Sequence, residues 1–353
     1  MLEKDPIQQL HELSVPEATY DFAPSRVPID TGGCLRAIQD WMAEKSVPIL
    51  LLSGPRGTGK STFARAIAYA CVHKANLPVI SFCFTPDHPQ LSDLHRVIPT
   101  LAFQLHKTNL RGLKETIEVS INADPFLWSR PLSKQFIELI IRPIRASVNN
   151  GAHSHLIFVI LLDGIDACKD YGALKQFLSD IKANIADEVH YGRIKILCTS
   201  KDVPDVHAAF RSLINYYRHL STQPSAKNNV LKYLNSVTQD VRQRTDLPWD
   251  PINNYIAEKS EGNLEIATAI LQRVGAANTS NPADIQAIID QTATQNPSTF
   301  NSFNEPRRRD TRSYADTSPL TNISPLDILL KILRNRRVRY GPHISFYTLI
   351  ILL

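Results

Sequence analysis

One stretch, Gly54-Pro55-Arg56-Gly57-Thr58-Gly59-Lys60-Ser61, constrains this chain more than any other. It fits the pattern GxxxxGK[ST] at every required position. An apolar run, Pro48 to Leu52, precedes it directly, and an amphipathic segment, Ser61 to His73, follows it directly. Strand, glycine-rich turn and helix is the context in which this pattern cradles phosphate. Glycines let backbone N–H groups wrap phosphate oxygens with no Cβ in the way. The N-terminus of the next helix adds its dipole and free amides. On this reading Gly54, Pro55, Arg56, Gly57, Thr58, Gly59, Lys60, Ser61 and Thr62 hold the phosphates of a nucleotide whose base the motif leaves open. Lys60 reaches the β- and γ-phosphates, and the Ser61 hydroxyl holds Mg²⁺.

Such a magnesium ion also needs a carboxylate from a neighbouring strand. The run Ile157 to Leu162 is apolar throughout and ends in Asp163, with Asp166 three residues on. A charge at the end of a buried strand faces the crevice at the carboxyl edge of the sheet. Asp163 is therefore the expected metal ligand and Asp166 the expected water-positioning acid, against the plainer reading of both as turn and cap residues. A further run, Ile194 to Cys198, ends in Thr199-Ser200-Lys201, polar groups placed to sense a γ-phosphate. Lys201 joins Asp166 as an expected catalytic residue.

The surrounding pattern predicts the architecture. Pro48–Leu52, Pro78–Phe84, Leu156–Leu162 and Ile194–Cys198 are short, apolar and rich in Val, Ile, Leu and Phe, as in strands buried on both faces. Between them lie helical patterns at Ser61–His73, Leu91–Leu105 and Ala173–Ile185. This is an α/β P-loop NTPase pattern, a parallel sheet flanked by helices, over residues 47–220. A lead-in segment and helix occupy 1–46, and a small helical domain follows at 221–275. Residues 276–325 are rich in Asn, Ser, Thr, Pro and Gln and predict a disordered linker, with room for a short helix at Ile285–Ile289. Residues 326–353 read as a truncated C-terminal segment.

Composition excludes several classes. The 353 residues are 43% hydrophobic and 21% charged, which argues for a folded chain. The net charge of +5 is too mild to argue for nucleic acid, and no specific nucleic acid is expected. Five scattered cysteines form no CxxC pair, and MLEKDPIQQLHEL has no apolar core region. No run approaches the roughly 18 apolar residues of a membrane span. The expectation is a cytoplasmic protein. The arginines near Arg307–Arg312 read as a solvated linker. The uncharged tail Ile344–Leu353 reads as an aggregation-prone strand.

Several segments together resemble a family. Cys34-Leu35 with Ile38-Gln39-Asp40-Trp41 is similar to the lead-in helix of fungal NACHT-domain proteins. These are STAND-class P-loop NTPases related to NOD-like receptors and to nephrocystin-3-like N-terminal domains. Pro99-Thr100-Leu101-Ala102-Phe103-Gln104-Leu105, Leu132 to Pro143, Asp163-Gly164-Ile165-Asp166-Ala167-Cys168, Thr199-Ser200-Lys201 and Glu261-Gly262-Asn263 resemble later family elements in order. The resemblance covers residues 15–275. It implies a signalling switch in which ADP holds a closed state and ATP an open one, with homo-oligomers or other signalling proteins as partners. Two departures stand out: the family's Glu after the second Asp is Ala167 here, and its sensor Arg is Lys201. They imply slow or absent hydrolysis and leave a hydrolysis-deficient nucleotide-binding scaffold as the alternative. An AAA+-type nucleic-acid-dependent ATPase is the more distant one. The family normally continues into sensor repeats, so the stop soon after Leu326–Leu333 reads as a truncated product or a reduced paralogue.

Overall fold

The computed structural model describes residues 5–20, 34–73, 75–149, 156–185, 193–211, 217–221, 226–242, 247–277 and 281–294. Helix α1 (Pro6–Leu13) starts on Asp5, whose carboxylate accepts from the Ile7 N–H at 3.1 Å, and a 3₁₀ turn follows at Pro16–Ala18. Then come α2 (Cys34–Ala43), β1 (Ile49–Gly54), α3 (Lys60–His73) and β2 (Val79–Cys83). The segment Leu91–Leu105, expected as one helix, instead enters α4 (Val97–His106) through a 3₁₀ turn, Leu94–Arg96. Asp93 accepts from the His95 N–H and starts that turn late. Helices α5 (Leu113–Ala123), α6 (Leu132–Phe136) and α7 (Arg142–Asn149) follow, the last two joined by a π-helical turn, Ile137–Ile141.

The chain then runs through β3 (Phe158–Asp163), α8 (Tyr171–Ile185), β4 (Ile194–Lys201), α9 (Pro204–Arg211) and β5 (Tyr217–Ser221). All neighbouring strands pair parallel in the order β2-β3-β4-β1-β5. β5 did not stand out in the sequence: Tyr-Arg-His-Leu-Ser carries few apolar residues, and as the edge strand it has one neighbour. The order also corrects the expectation that the carboxylate comes from a neighbouring strand. β4 lies between β1 and β3, so Asp163 stands two strands from the glycine-rich loop.

Every residue of β1 and β3 is buried, as a parallel sheet covered on both faces requires. Alternate side chains feed two layers. Ile49, Leu51, Ile160 and Leu162 pack with α1 and α4 through α9, while Leu50, Leu52, Val159 and Leu161 pack with α2 and α3. Cys71 and Cys198 belong to these layers, and burial pushes each thiol up to about 12.

Lys195 interrupts the apolar pattern of β4 and is fully buried. Its ammonium donates to the carbonyls of Trp41 (2.9 Å), Glu44 and Val47 (3.0 Å), capping the end of α2 and tying it to the sheet. Lys195→Met keeps the stem but strips these buried carbonyls of their donor. It is expected to lower unfolding free energy by about 2–4 kcal/mol, read by chemical denaturation. A cost near zero would show that α2 is held by packing alone.

Four helices form the second unit: α10 (Ala226–Arg242), α11 (Trp249–Lys259), α12 (Leu264–Ala276) and α13 (Pro282–Thr294). They enclose a third core around Leu234, Ile256, Ile270 and Ile289. Here the linker expectation is corrected, because α13 lies within 276–325 and buries Ile285 and Ile289 against the bundle. A helix that needs only one narrow apolar stripe can carry Gln, Thr and Asp elsewhere, so its composition imitates a linker. The rest of the expected linker, the arginine cluster and the apolar tail lie outside the described residues. Among the described residues, no helix is long and apolar enough to cross a membrane.

Candidate functional site

The glycine-rich loop leaves β1 and delivers the chain into α3, where Phe63 N–H donates to Gly59 O at 2.8 Å. Gly57 and Gly59 take φ of +78° and +84°, a region that L side chains rarely adopt. The loop is held from within. Thr58 Oγ donates to Pro55 O at 2.8 Å, and Lys60 Nζ donates to Gly54 O at 2.9 Å and Pro55 O at 2.7 Å. Lys60 is 9% exposed. Burial pushes its pKa below the ordinary lysine value, and the carboxylates of Asp166 and Asp163 pull it only partway back. An ammonium in this position is short of negative charge.

The acids stand at the end of β3 and in the turn after it, beside Thr199 and Lys201 at the end of β4. Asp163 is 7% exposed and accepts the Thr199 hydroxyl on Oδ1 and the Tyr20 hydroxyl on Oδ2. Thr199 Oγ in turn accepts the Gly164 N–H at 2.9 Å, so β4 reads the turn after β3. Tyr20 is kept neutral, because burial and the Asp163 charge both push its pKa well above the ordinary tyrosine value. Asp166 and Lys201, expected as two separate actors, are each other's partners. Lys201 N–H donates to Oδ1 at 2.9 Å, and Lys201 Nζ stands 3.0 Å from Oδ2.

The third wall is α12. Asn263 caps this helix, its Oδ1 accepting from Glu265 N (2.9 Å) and Ile266 N (3.2 Å). The same side chain donates through Nδ2 to Arg56 O at 3.2 Å, and Leu264 N–H donates to Gly57 O at 2.9 Å. Arg56 and Glu265 form a two-pronged ion pair at 2.9 and 2.7 Å, which holds the guanidinium above its ordinary pKa. A Cβ on Gly57 would fall 2.0 Å from Asn263 Oδ1, and one on Gly59 would fall 2.9 Å from Leu264 Cδ1. The loop glycines thus make room for the helical domain itself.

Between these walls lies a cavity of about 740 Å³. Of the residues expected to hold nucleotide or cation or to act in catalysis, all but Gly54, Pro55 and Thr58 line it. Those three form the inner side of the loop that holds Lys60 and each other. Ala167 lines the cavity as well. The donor set fits a nucleotide with a divalent cation: glycine amides, a buried lysine and the Ser61 hydroxyl on one side, and the fixed Asp163 carboxylate on the other. Two contributors were missed. Asn263 left a signal, a cap residue after glycine before an apolar helix. Tyr20 left none, since 143 residues separate it from Asp163.

A parallel sheet of this order, with GxxxxGKS between β1 and α3 and an aspartate ending β3, defines the P-loop NTPase fold. Residues 35–201, just under half of the chain, match the family model described as Nephrocystin 3, N-terminal. No curated protein sequence matches the chain. Among solved structures, the ORC2 protein of Aeropyrum pernix, in ADPNP–ADP complexes, is 12% identical, with 77% of this chain and 70% of that one covered at a TM-score of 0.48. Domain III of the Thermotoga maritima replication initiation protein DnaA is 10% identical, with 78% and 98% covered at 0.41. PCH-2 of C. elegans is 13% identical, with 76% and 70% covered at 0.38. The chain's own topology and loop carry the fold assignment, not these distant likenesses.

Proposed function

We propose that this chain binds ATP or ADP with Mg²⁺ at the Gly54–Ser61 loop and works as a nucleotide-dependent conformational switch of the NACHT type. The observation that carries the reading is the seat of α12. Its first residues hydrogen-bond the loop's own carbonyls, Asn263 to Arg56 and Leu264 to Gly57. Whatever fills the loop therefore bears directly on the helical domain, and a γ-phosphate is felt by both walls of the cavity. Lys60 and the loop amides hold the phosphates, and Ser61 and Asp163 would hold the cation. When bound, Mg²⁺ offsets phosphate charge. Asp166, engaged with Lys201, links the end of β3 to the end of β4.

The test is the nucleotide carried by purified protein and its rate of release. ADP retained with slow turnover supports the switch. Glu265→Ala removes the exposed ion pair that holds α12 to Arg56, and release is expected to quicken a few-fold, in line with the modest worth of such pairs. A release rate unmoved by Glu265→Ala would separate α12 from nucleotide retention. One further observation favours a second reading, a nucleotide-locked scaffold that does not hydrolyse. Ala167 stands in the turn after β3, beside Asp163 and Asp166, where the resembled family carries a glutamate. In that case ATP is retained unhydrolysed.

A further inference from the structure

Residues 5–20 lie on the layer formed by α4 and β2, and several polar contacts fix them there. Val15 N–H donates to Thr100 Oγ at 2.9 Å, Arg96 donates to Leu13 O at 3.2 Å, and Trp128 Nε1 donates to Gln9 Oε1 at 3.3 Å. At the end of the segment, Tyr20 N–H donates to Ser81 Oγ of β2 at 3.0 Å. The ring is buried, at 8% exposure, beneath the Arg65 guanidinium, 4.6 Å from its centroid. Arg65 belongs to α3, the helix that the loop feeds. Ring and backbone are thus both anchored, and the hydroxyl ends on Asp163 Oδ2. Strand pairing sets Cys83 opposite Asp163, so β2 carries the tyrosine's anchor to the edge where the carboxylate stands.

A carboxylate that rotates freely gives up part of its affinity for a cation to the ordering of its own side chain. Donors from groups that do not touch the metal remove that cost, and their loss weakens metal binding. Asp163 has two such donors. Thr199 comes from the adjacent strand, as any fold of this order could arrange. Tyr20 comes from outside the sheet, at the end of an N-terminal segment whose Leu10, Val15 and Ala18 are buried against it.

We propose that Tyr20 is a positioning residue for Mg²⁺. Its hydroxyl holds the Asp163 carboxylate in the orientation the cation meets, so the seating of the N-terminal segment and the metal affinity of the site depend on one another. This rests on the nucleotide-binding reading above. By linkage, a partner that draws the N-terminal segment off α4 weakens Mg²⁺ binding, and Mg²⁺ tightens the segment's seat.

The test uses the full chain and ADP, titrated in EDTA and across a series of Mg²⁺ concentrations. Tyr20→Phe keeps the ring beneath Arg65 and removes only the hydroxyl. The Mg²⁺ concentration that gives half of the affinity gain is expected to rise about ten-fold, while affinity in EDTA stays within about two-fold of the parent. Mn²⁺ titrated by electron paramagnetic resonance gives the same comparison with no turnover involved. An unchanged metal midpoint overturns the proposal. So does an equal loss of affinity with and without Mg²⁺, which marks Tyr20 as packing only. If Tyr20→Phe does not fold, Ser81→Ala takes its place. It frees the tyrosine's backbone anchor, and the midpoint is expected to move in the same direction by a smaller factor; an unmoved midpoint overturns the proposal there too. A parent chain that binds ADP in neither condition removes the nucleotide reading itself, a different failure from a parent that binds and a variant that matches it.

Discussion

Lys60→Ala is expected to lower ATP and ADP affinity at least about a hundred-fold, roughly 2.8 kcal/mol at 1.4 kcal/mol per decade. Charge-assisted hydrogen bonds from a desolvated ammonium to phosphate are worth that much in a site of this burial. The lysine's surroundings sharpen the expectation. Its pKa is pushed down by burial and only partly restored by Asp166 and Asp163, so the folded protein gains little from carrying this charge in a loop without phosphate. Thermal stability should therefore change far less than affinity. The two contacts to Gly54 O and Pro55 O set the limit of that claim, since their loss loosens the loop somewhat. Isothermal titration of parent and variant, beside their melting curves, separates the effects. Parent-like binding by Lys60→Ala would mean that the loop is not the phosphate site. Lys60→Arg should not rescue, because a planar fork cannot fold back onto the same two carbonyls.

The second large effect is a gain. Ala167→Glu places a carboxylate on the short turn Ile165–Ala167, beside Asp163 and Asp166 and facing the same cavity. A positioned base contributes on the order of 10²–10⁴ to a proton-transfer step. Phosphate release under single-turnover conditions is expected to rise by about 10² over the parent, with nucleotide affinity little changed. Asp166 is poorly placed to supply that function itself, because both of its oxygens face Lys201. A variant that binds ATP normally yet hydrolyses no faster would locate the limit elsewhere, in the Lys201 wall or in the seat of α12. Together the two variants divide the proposal: one asks whether the loop holds phosphate, the other whether the chain has lost a step it could regain.

Sequence alone settled what local chemistry settles. Gly54 to Ser61, the apolar run ending in Asp163 and the strand ending in Thr199-Ser200-Lys201 announce themselves, because each job needs particular residue types at short, fixed spacing. Buried parallel strands are equally legible, since a strand covered on both faces must be apolar throughout, as β1 and β3 are. The tertiary structure decided what depends on distant residues meeting. Lys195 reads as an intruder in a strand until the carbonyls at the end of α2 come to it. Helix α13 reads as linker with room for a short helix until the bundle buries Ile285 and Ile289. Only the strand order sets β4 between the loop and Asp163, and only the closed chain brings Asn263 onto Gly57 and Tyr20 onto Asp163. Hydrogen bonds across 143 residues leave no period or spacing behind, because either partner alone is an ordinary side chain.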